Sequence, residues 1–313
     1  MTGIGRLYKK LLRTPNALQF YEAVAEGRVA PDISITCRGK RDGGGAQVNA
    51  CASAMALAAA TGIRYLHTPL QYVEHAPGDQ AAWTRAWEDF FGLGQGETVI
   101  GIDHEAVDIK QFLDTPSIWS RPGTTVEARH FLDVCNAYPE FYDGIIPRLR
   151  EKYAASDKSD ITLDRDDEDI VVAVHIRRGD VSRHDPVTGE RFTDDEYLLQ
   201  RVRDILAVTR DLGLRTRVNI YSQGRVEDFA RFSELGCHLQ IDKDTFETIH
   251  NLVMSDVLVT AKSAFSFVAG LLSKGVKIYE PFRTVAPDDW MMSAAPVPLD
   301  RVVLKAKLSA LKA

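Results

Sequence analysis

Asp169-Ile170-Val171-Val172-Ala173-Val174-His175-Ile176-Arg177-Arg178-Gly179-Asp180 is an apolar, valine-rich run that ends in two cations, a glycine and an acid. A run without polar alternation is the pattern of a β-strand covered on both faces, as in a parallel sheet flanked by helices. Working outward, four more strand candidates follow at residues 217–221, 237–241, 257–260 and 276–279. Helical patterns separate them at 196–211, 226–234, 245–254 and 264–273. Strands alternating with helices predict a doubly wound α/β domain on a parallel sheet.

Upstream, residues 33–37 read as a strand and lead into a polar loop that ends in Gly43, Gly44 and Gly45. The alanine-rich segment 46–60 has strong helix propensity, and a second strand is expected at 63–67. A strand, glycine-rich turn, helix and strand imply a parallel pair joined by a right-handed crossover. Residues 80–153 read mainly as helices with one short strand at 98–101. The expected organisation is an N-terminal α/β domain over 1–156 and an acidic, exposed linker over 157–168. A C-terminal Rossmann-like domain over 169–290 and a tail over 291–313 complete it. The tail carries a basic amphipathic helix at 301–312, a candidate to pack back on the first domain. Ligands in open parallel sheets bind at the carboxyl ends of the strands, so the loops there are where chemistry is expected.

Composition narrows the function classes. A hydrophobic fraction of 45% and a charged fraction of 26% are those of a globular protein. A net charge of −6 argues against nucleic acid as a partner, because phosphate binding needs a clustered basic surface. No apolar stretch reaches the ~18 residues of a membrane span. Residues 1–13 are basic and mildly amphipathic without a signal-peptide core. They are read either as a solvated helix or as a peripheral contact with an anionic membrane. Cys37, Cys51, Cys135 and Cys237 have no metal-ligand spacing and are expected to be buried reduced thiols, which favours the cytoplasm. Trp83, Trp87, Phe90 and Phe91 have a helical spacing that indicates a buried face more simply than a sugar-stacking platform.

The end of the valine strand carries the candidate chemistry. Alternation puts His175 and Arg177 on one face, with Arg178 at the start of the turn. Guanidiniums at the ligand edge of a buried strand call for an anion or an acid nearby. Their planar forks suit phosphate, and pairing with Asp180 is the structural alternative. Ser263, Ala264, Phe265 and Ser266 open the helix at 264–273, whose first amides and dipole favour an anion; Ser263 is equally read as an ordinary N-cap.

Val174-His175-Ile176-Arg177-Arg178-Gly179-Asp180 resembles the His-x-Arg-Arg-Gly-Asp signature of the α1,2-fucosyltransferases and the related α1,6- and O-fucosyltransferases. Residues 254–266 resemble a family block of helix, apolar strand and Ser-Ser-Phe-Ser. Gly43-Gly44-Gly45-Ala46-Gln47 is similar to the family's Gly-Gly-Leu-Gly-Asn-Gln. The resemblance implies a GT-B-like α/β fold of two Rossmann-like domains whose parallel sheets face a cleft. It also implies inverting transfer of fucose from GDP-fucose to a glycan hydroxyl, with no metal and no other cofactor. Carried over, Arg177 and Arg178 grip the diphosphate. His175, Gly179, Gly44 and Gly45 lie near the nucleotide, and Ser263 and Ser266 donate to phosphate. The acid that acts as general base in the α1,6 enzymes corresponds to Asp185, with Asp180 and His184 as competitors.

Several positions depart from that pattern. The acid expected to read the guanine is Thr248, with Glu247 one residue earlier as candidate replacement; the asparagine before the serines is Lys262; the second serine is Ala264; an expected tyrosine is Cys51. Two alternatives therefore stay open: another nucleotide-sugar on the same fold, or a catalytically silent sugar-nucleotide or glycan-binding module.

Overall fold

The computed structural model describes residues 15–294 and 297–312, so the basic segment 1–13 lies outside the described residues. The chain divides into two compact units, one reaching to Lys158 and including the short stretch Thr284–Pro287, the other formed by Ser159–Arg283 and the residues from Asp288 onward.

The first unit runs α1 (Pro15–Ala25), β1 (Ser34–Cys37), α2 (Gly44–Thr61), β2 (Arg64–His67), α3 (Gln80–Phe91), β3 (Thr98–Val99), β4 (Val107–Asp108), α4 (Ile109–Asp114), β5 (Thr125–Ala128), α5 (Leu132–Ala137) and α6 (Ile146–Ala155). Its sheet has the order β3-β2-β1-β5-β4, and every pairing is parallel. The segment expected to be mainly helical thus also contributes β4 and the interior strand β5, which lies between β1 and β4. Strand β4 is two residues long and β5 carries one large apolar residue, Val126, so neither offers an apolar run to read. Helix α2 is buried along nearly its whole length. A helix covered on all sides needs small side chains rather than an apolar stripe, which is why this segment is alanine-rich. Trp87, Phe90 and Phe91 are buried, with Trp87 stacked on Phe91 at 5.7 Å. The aromatic stripe is core.

The second unit runs β6 (Ile170–His175), α7 (Asp195–Asp211), β7 (Thr216–Ser222), α8 (Ala230–Ser233), β8 (His238–Ile241), α9 (Thr245–Met254), β9 (Val257–Val259), α10 (Ala264–Leu272), β10 (Val276–Tyr279), β11 (Met291–Met292) and α11 (Arg301–Lys312). Its six-stranded parallel sheet has the order β11-β10-β9-β6-β7-β8. Two parallel α/β units in one chain are the make-up of a GT-B-like fold. The helix expected at 226–234 is shorter: a 3₁₀ turn, Val226–Phe229, precedes α8.

One expectation is corrected. The tail helix α11, a candidate to pack on the first domain, packs on α7 of its own unit: Leu304 and Leu308 enter the core beside Val202 and Ile205. Arg301 adds an ion pair with Asp204 at 2.6 Å. The acidic segment 157–168 is exposed or half-buried, and its acids from Asp164 onward are paired. Asp164 accepts from Tyr221 at 2.8 Å and from Lys243 at 2.6 Å, and Asp166 pairs with Arg217 at 2.9 Å. Arg215 reaches both Asp167 and Asp169. The segment's acids face basic partners on β7 and the loops beside it, so it lies strapped along the second unit.

A Cβ on Gly44 would fall 2.2 Å from the ring of Trp87, whereas at Gly43 it would meet nothing within 4 Å. Gly44→Ala is expected to destabilise by ~1–3 kcal/mol, because the buried indole cannot yield. Gly43→Ser, at the N-cap of α2, should leave stability within ~0.5 kcal/mol of wild type or raise it. Urea unfolding of both variants checks the contrast.

Candidate functional site

The strand order of the second unit locates a site before any side chain is considered. From β6 the chain moves outward through β7 and β8, then returns to the opposite side of β6 with β9, β10 and β11. The crossovers leaving β6 and β9 therefore diverge, and a crevice opens beyond their carboxyl ends. The sequence places Arg177 just after β6 and Ser263 just after β9.

Arg177 reaches across this switch point. Its Nη2 and Nε donate to the two Asp180 carboxylate oxygens at 2.6 and 3.1 Å, and its Nη1 lies 3.5 Å from Ser263 Oγ. Asp180 thereby fixes the fork and leaves Nη1 directed at the start of α10. The guanidinium holds the Asp180 carboxyl below the usual carboxylate range. Ser263 is the N-cap of α10 and accepts from Phe265 N at 3.2 Å. A fixed cation therefore stands at the positive end of a helix dipole, where an anion is favoured by both.

Arg178 faces elsewhere. Its Nη2 donates to Thr193 O at 3.0 Å and pairs with Asp195, and its guanidinium stacks 4.1 Å from the Phe192 ring centroid. It ties the end of the β6–α7 loop to the strand. The turn between the arginines and the loop requires glycine: Gly179 has φ +62°, and a Cβ there would meet Gln223 Oε1 at 2.4 Å. Lys262 joins the same lock, donating to Phe192 O at 3.3 Å and pairing with Glu280 at 3.1 Å, while Glu280 accepts from Thr193 Oγ1 at 2.7 Å.

The remaining expected residues fall into distinct places. His175 packs its ring against Phe265 at 5.2 Å, with Nδ1 buried and unpartnered. Burial, then the charge of Arg177, lowers its pKa to about 3. Ser266 is fully buried and closes on the backbone of Ala261, so its hydroxyl serves the turn into α10. Glu247, on the first turn of α9, is paired with Lys243 at 2.7 Å. Asp185 is exposed on the β6–α7 loop and accepts from the amides of Val187 and Thr188 at 2.7 and 2.8 Å; these bonds lower its pKa. Gly44 and Gly45 are buried in the first turn of α2, in the other unit.

One residue had no sequence signal. Arg191, in a 3₁₀ turn of the β6–α7 loop, is half-buried, and no hydrogen bond or ion pair engages its guanidinium among the described residues. Burial lowers its pKa, and the positive charges of Arg177 and Arg283 lower it further. Only proximity in the fold reveals it.

No protein-family model matches the chain, and no curated protein matches it. Solved structures give distant likenesses. The E. coli heptosyltransferase WaaC with ADP aligns at 12% identity and a TM-score of 0.40, over 90% of this chain and 99% of that one. The NodZ α-1,6-fucosyltransferase co-crystallised with GDP aligns at 16% identity and a TM-score of 0.40, over 77% and 92%. A mutant of Arabidopsis thaliana FUT1 in complex with GDP gives 13% and 0.35, over 91% and 79%. The four cysteines are buried free thiols, and no described helix is long and apolar enough to cross a membrane.

The depressed pKa of His175 has a consequence for stability. Between pH 6.5 and about 3 the unfolded chain binds a proton at this position that the folded chain does not. Stability therefore falls as pH drops through that window, by up to ~1.4 kcal/mol per pH unit, and is insensitive to this residue above it. His175→Phe should flatten the decline between pH 6.5 and 4.5 in urea midpoints relative to wild type.

Proposed function

We propose that the chain is an inverting glycosyltransferase that holds the diphosphate of a nucleotide-sugar at the carboxyl edge of the second unit, with GDP-fucose as donor and a glycan hydroxyl as acceptor. The observation that carries the reading is Arg177 Nη1 at 3.5 Å from the Ser263 cap of α10, at the switch point of a parallel sheet. Helix N-terminus and guanidinium both favour an anion there. As the sugar departs, negative charge grows on the leaving diphosphate. Fixed positive groups aimed at that charge lower the barrier without reorganising, which is the task a metal performs in other transferases. The lock formed by Arg178, Lys262, Glu280 and Thr193 supplies the rigidity that such preorganisation needs.

In this reading Asp185 takes the proton of the acceptor hydroxyl. Its turn with Val187 and Thr188 orients the carboxylate, at the cost of some basicity, since the same two amide bonds lower its pKa. The departures at Lys262 and Thr248, together with a Glu247 already paired to Lys243, favour a second reading of the donor: the same diphosphate chemistry with a base or sugar other than those of GDP-fucose.

Arg177→Ala is expected to weaken GDP binding by ~1.5–3 kcal/mol, the loss of a charge-assisted contact, with the fold retained by circular dichroism. Unchanged affinity by calorimetry would remove the diphosphate role. Equal thermal shifts with GDP, UDP and ADP would pass the donor assignment to the second reading.

Two further outcomes concern catalysis. Transfer should persist in excess EDTA; activity abolished by the chelator and restored by manganese contradicts the cationic mechanism. Asp185→Asn should cut single-turnover transfer by ~100-fold or more at saturating donor, the usual contribution of a general base. A loss below about threefold rejects it and moves the search to Asp180 and His184.

A further inference from the structure

The loop that joins β6 to α7 is built to hold Arg191 in place. Arg191 N donates to Thr188 O at 2.8 Å and Phe192 N to Gly189 O at 3.0 Å, closing the 3₁₀ turn. The next residue, Phe192, lies under Arg178, its carbonyl accepts from Lys262, and Thr193 is bound by both Arg178 and Glu280. This much fastening serves a side chain that itself bonds to nothing among the described residues.

The surroundings of Arg191 make that isolation unusual. Arg177 and Arg283 are near enough to oppose its charge, and the two acids that offset it, Asp180 and Glu190, already have partners: Asp180 chelates Arg177, and Glu190 pairs with Arg283. A half-buried cation with like-charged neighbours and no partner of its own is an electrostatic cost in the free protein. Such a cost is expected where the missing counter-charge arrives with a ligand.

We propose that Arg191 is a ligand-binding residue that joins Arg177 in a clamp on the diphosphate, so that the working pair is Arg177 and Arg191 and the adjacent Arg178 positions the loop between them. The inference rests on the donor reading above and adds to it the residue that supplies the second charge. Arg177 stands at the start of the loop and Arg191 near its end, so the clamp draws its two charges from separate segments of chain, while Arg178 is held on Phe192 and Asp195.

Inorganic pyrophosphate tests the clamp without involving base or sugar. In calorimetry, Arg191→Gln should bind pyrophosphate and GDP roughly tenfold or more weakly than wild type, as Arg177→Ala does, and Arg191→Lys should recover part of the loss. The melting temperature of ligand-free Arg191→Gln should equal or exceed that of wild type, because the charge removed has like neighbours and no partner. A lowered ligand-free melting temperature would overturn the proposal in favour of a structural role. Wild-type affinity in Arg191→Gln alongside weakened binding in Arg177→Ala would overturn the clamp and leave the donor reading standing. Failure of the wild type to bind pyrophosphate, GDP, UDP or ADP would overturn both.

Discussion

The meeting of the Arg177 guanidinium with the N-terminal end of α10 governs the carboxyl edge of the second unit. Everything near it either aims the guanidinium or restrains the loop it belongs to. Asp180 takes two of its nitrogens and turns the third toward Ser263. Ser266 braces the turn that sets Ser263 as cap. His175, kept neutral by burial, fills the space behind against Phe265 without adding a further positive charge. The sheet order is the deeper cause: β6 and β9 are neighbours whose crossovers leave in opposite directions, so their carboxyl ends are the one pair in this sheet not roofed by a shared connection.

How much of this was legible in the sequence depended on length and period. The strands β6, β7, β8 and β10 and the helices α7, α9 and α10 announce themselves because each carries two or more large apolar residues within a regular alternation of strand and helix patterns. Strand β5 does not, since Thr125–Ala128 contributes one large apolar residue, Val126, and is placed inside the sheet only by its pairing with β1 and β4. The partners of the acidic segment were hidden for another reason. Composition reports that Asp164 to Asp169 is polar, but not that Arg215, Arg217 and Lys243 wait opposite it across more than forty residues of chain, and charge pairing of that kind has no local signature.

The site divides in the same way. A motif reports adjacency along the chain, and Arg177-Arg178 invites the inference that both side chains do one job. Successive residues at a strand end point to opposite sides, and the structure separates them into a residue at the crevice and a residue stacked on Phe192. The glycines behave likewise. Gly44 looks like a ligand loop in sequence and serves in the fold to admit the indole of Trp87. Arg191 was invisible because its significance lies in what surrounds it, and no spacing rule encodes three arginines gathered from a strand end, a 3₁₀ turn and the loop after β10.

The acids at this edge bear on how the proposed anion site is built into a protein of net charge −6. Asp180 and Glu190 each neutralise one arginine, leaving the charge of Arg191 as the uncompensated remainder. Were both acids absent, three guanidiniums would repel one another and the loop would open. Were a third acid present, an incoming diphosphate would meet a neutral surface and gain nothing from the helix end alone. In the proposed reading, a balance short by one negative charge keeps the loop folded and still draws an anion. It also makes Asp180 a competitor for the fork it orients: a phosphate that takes Arg177 from it must compensate for the broken carboxylate pair, whereas one that approaches through Nη1 and Arg191 leaves the pair intact.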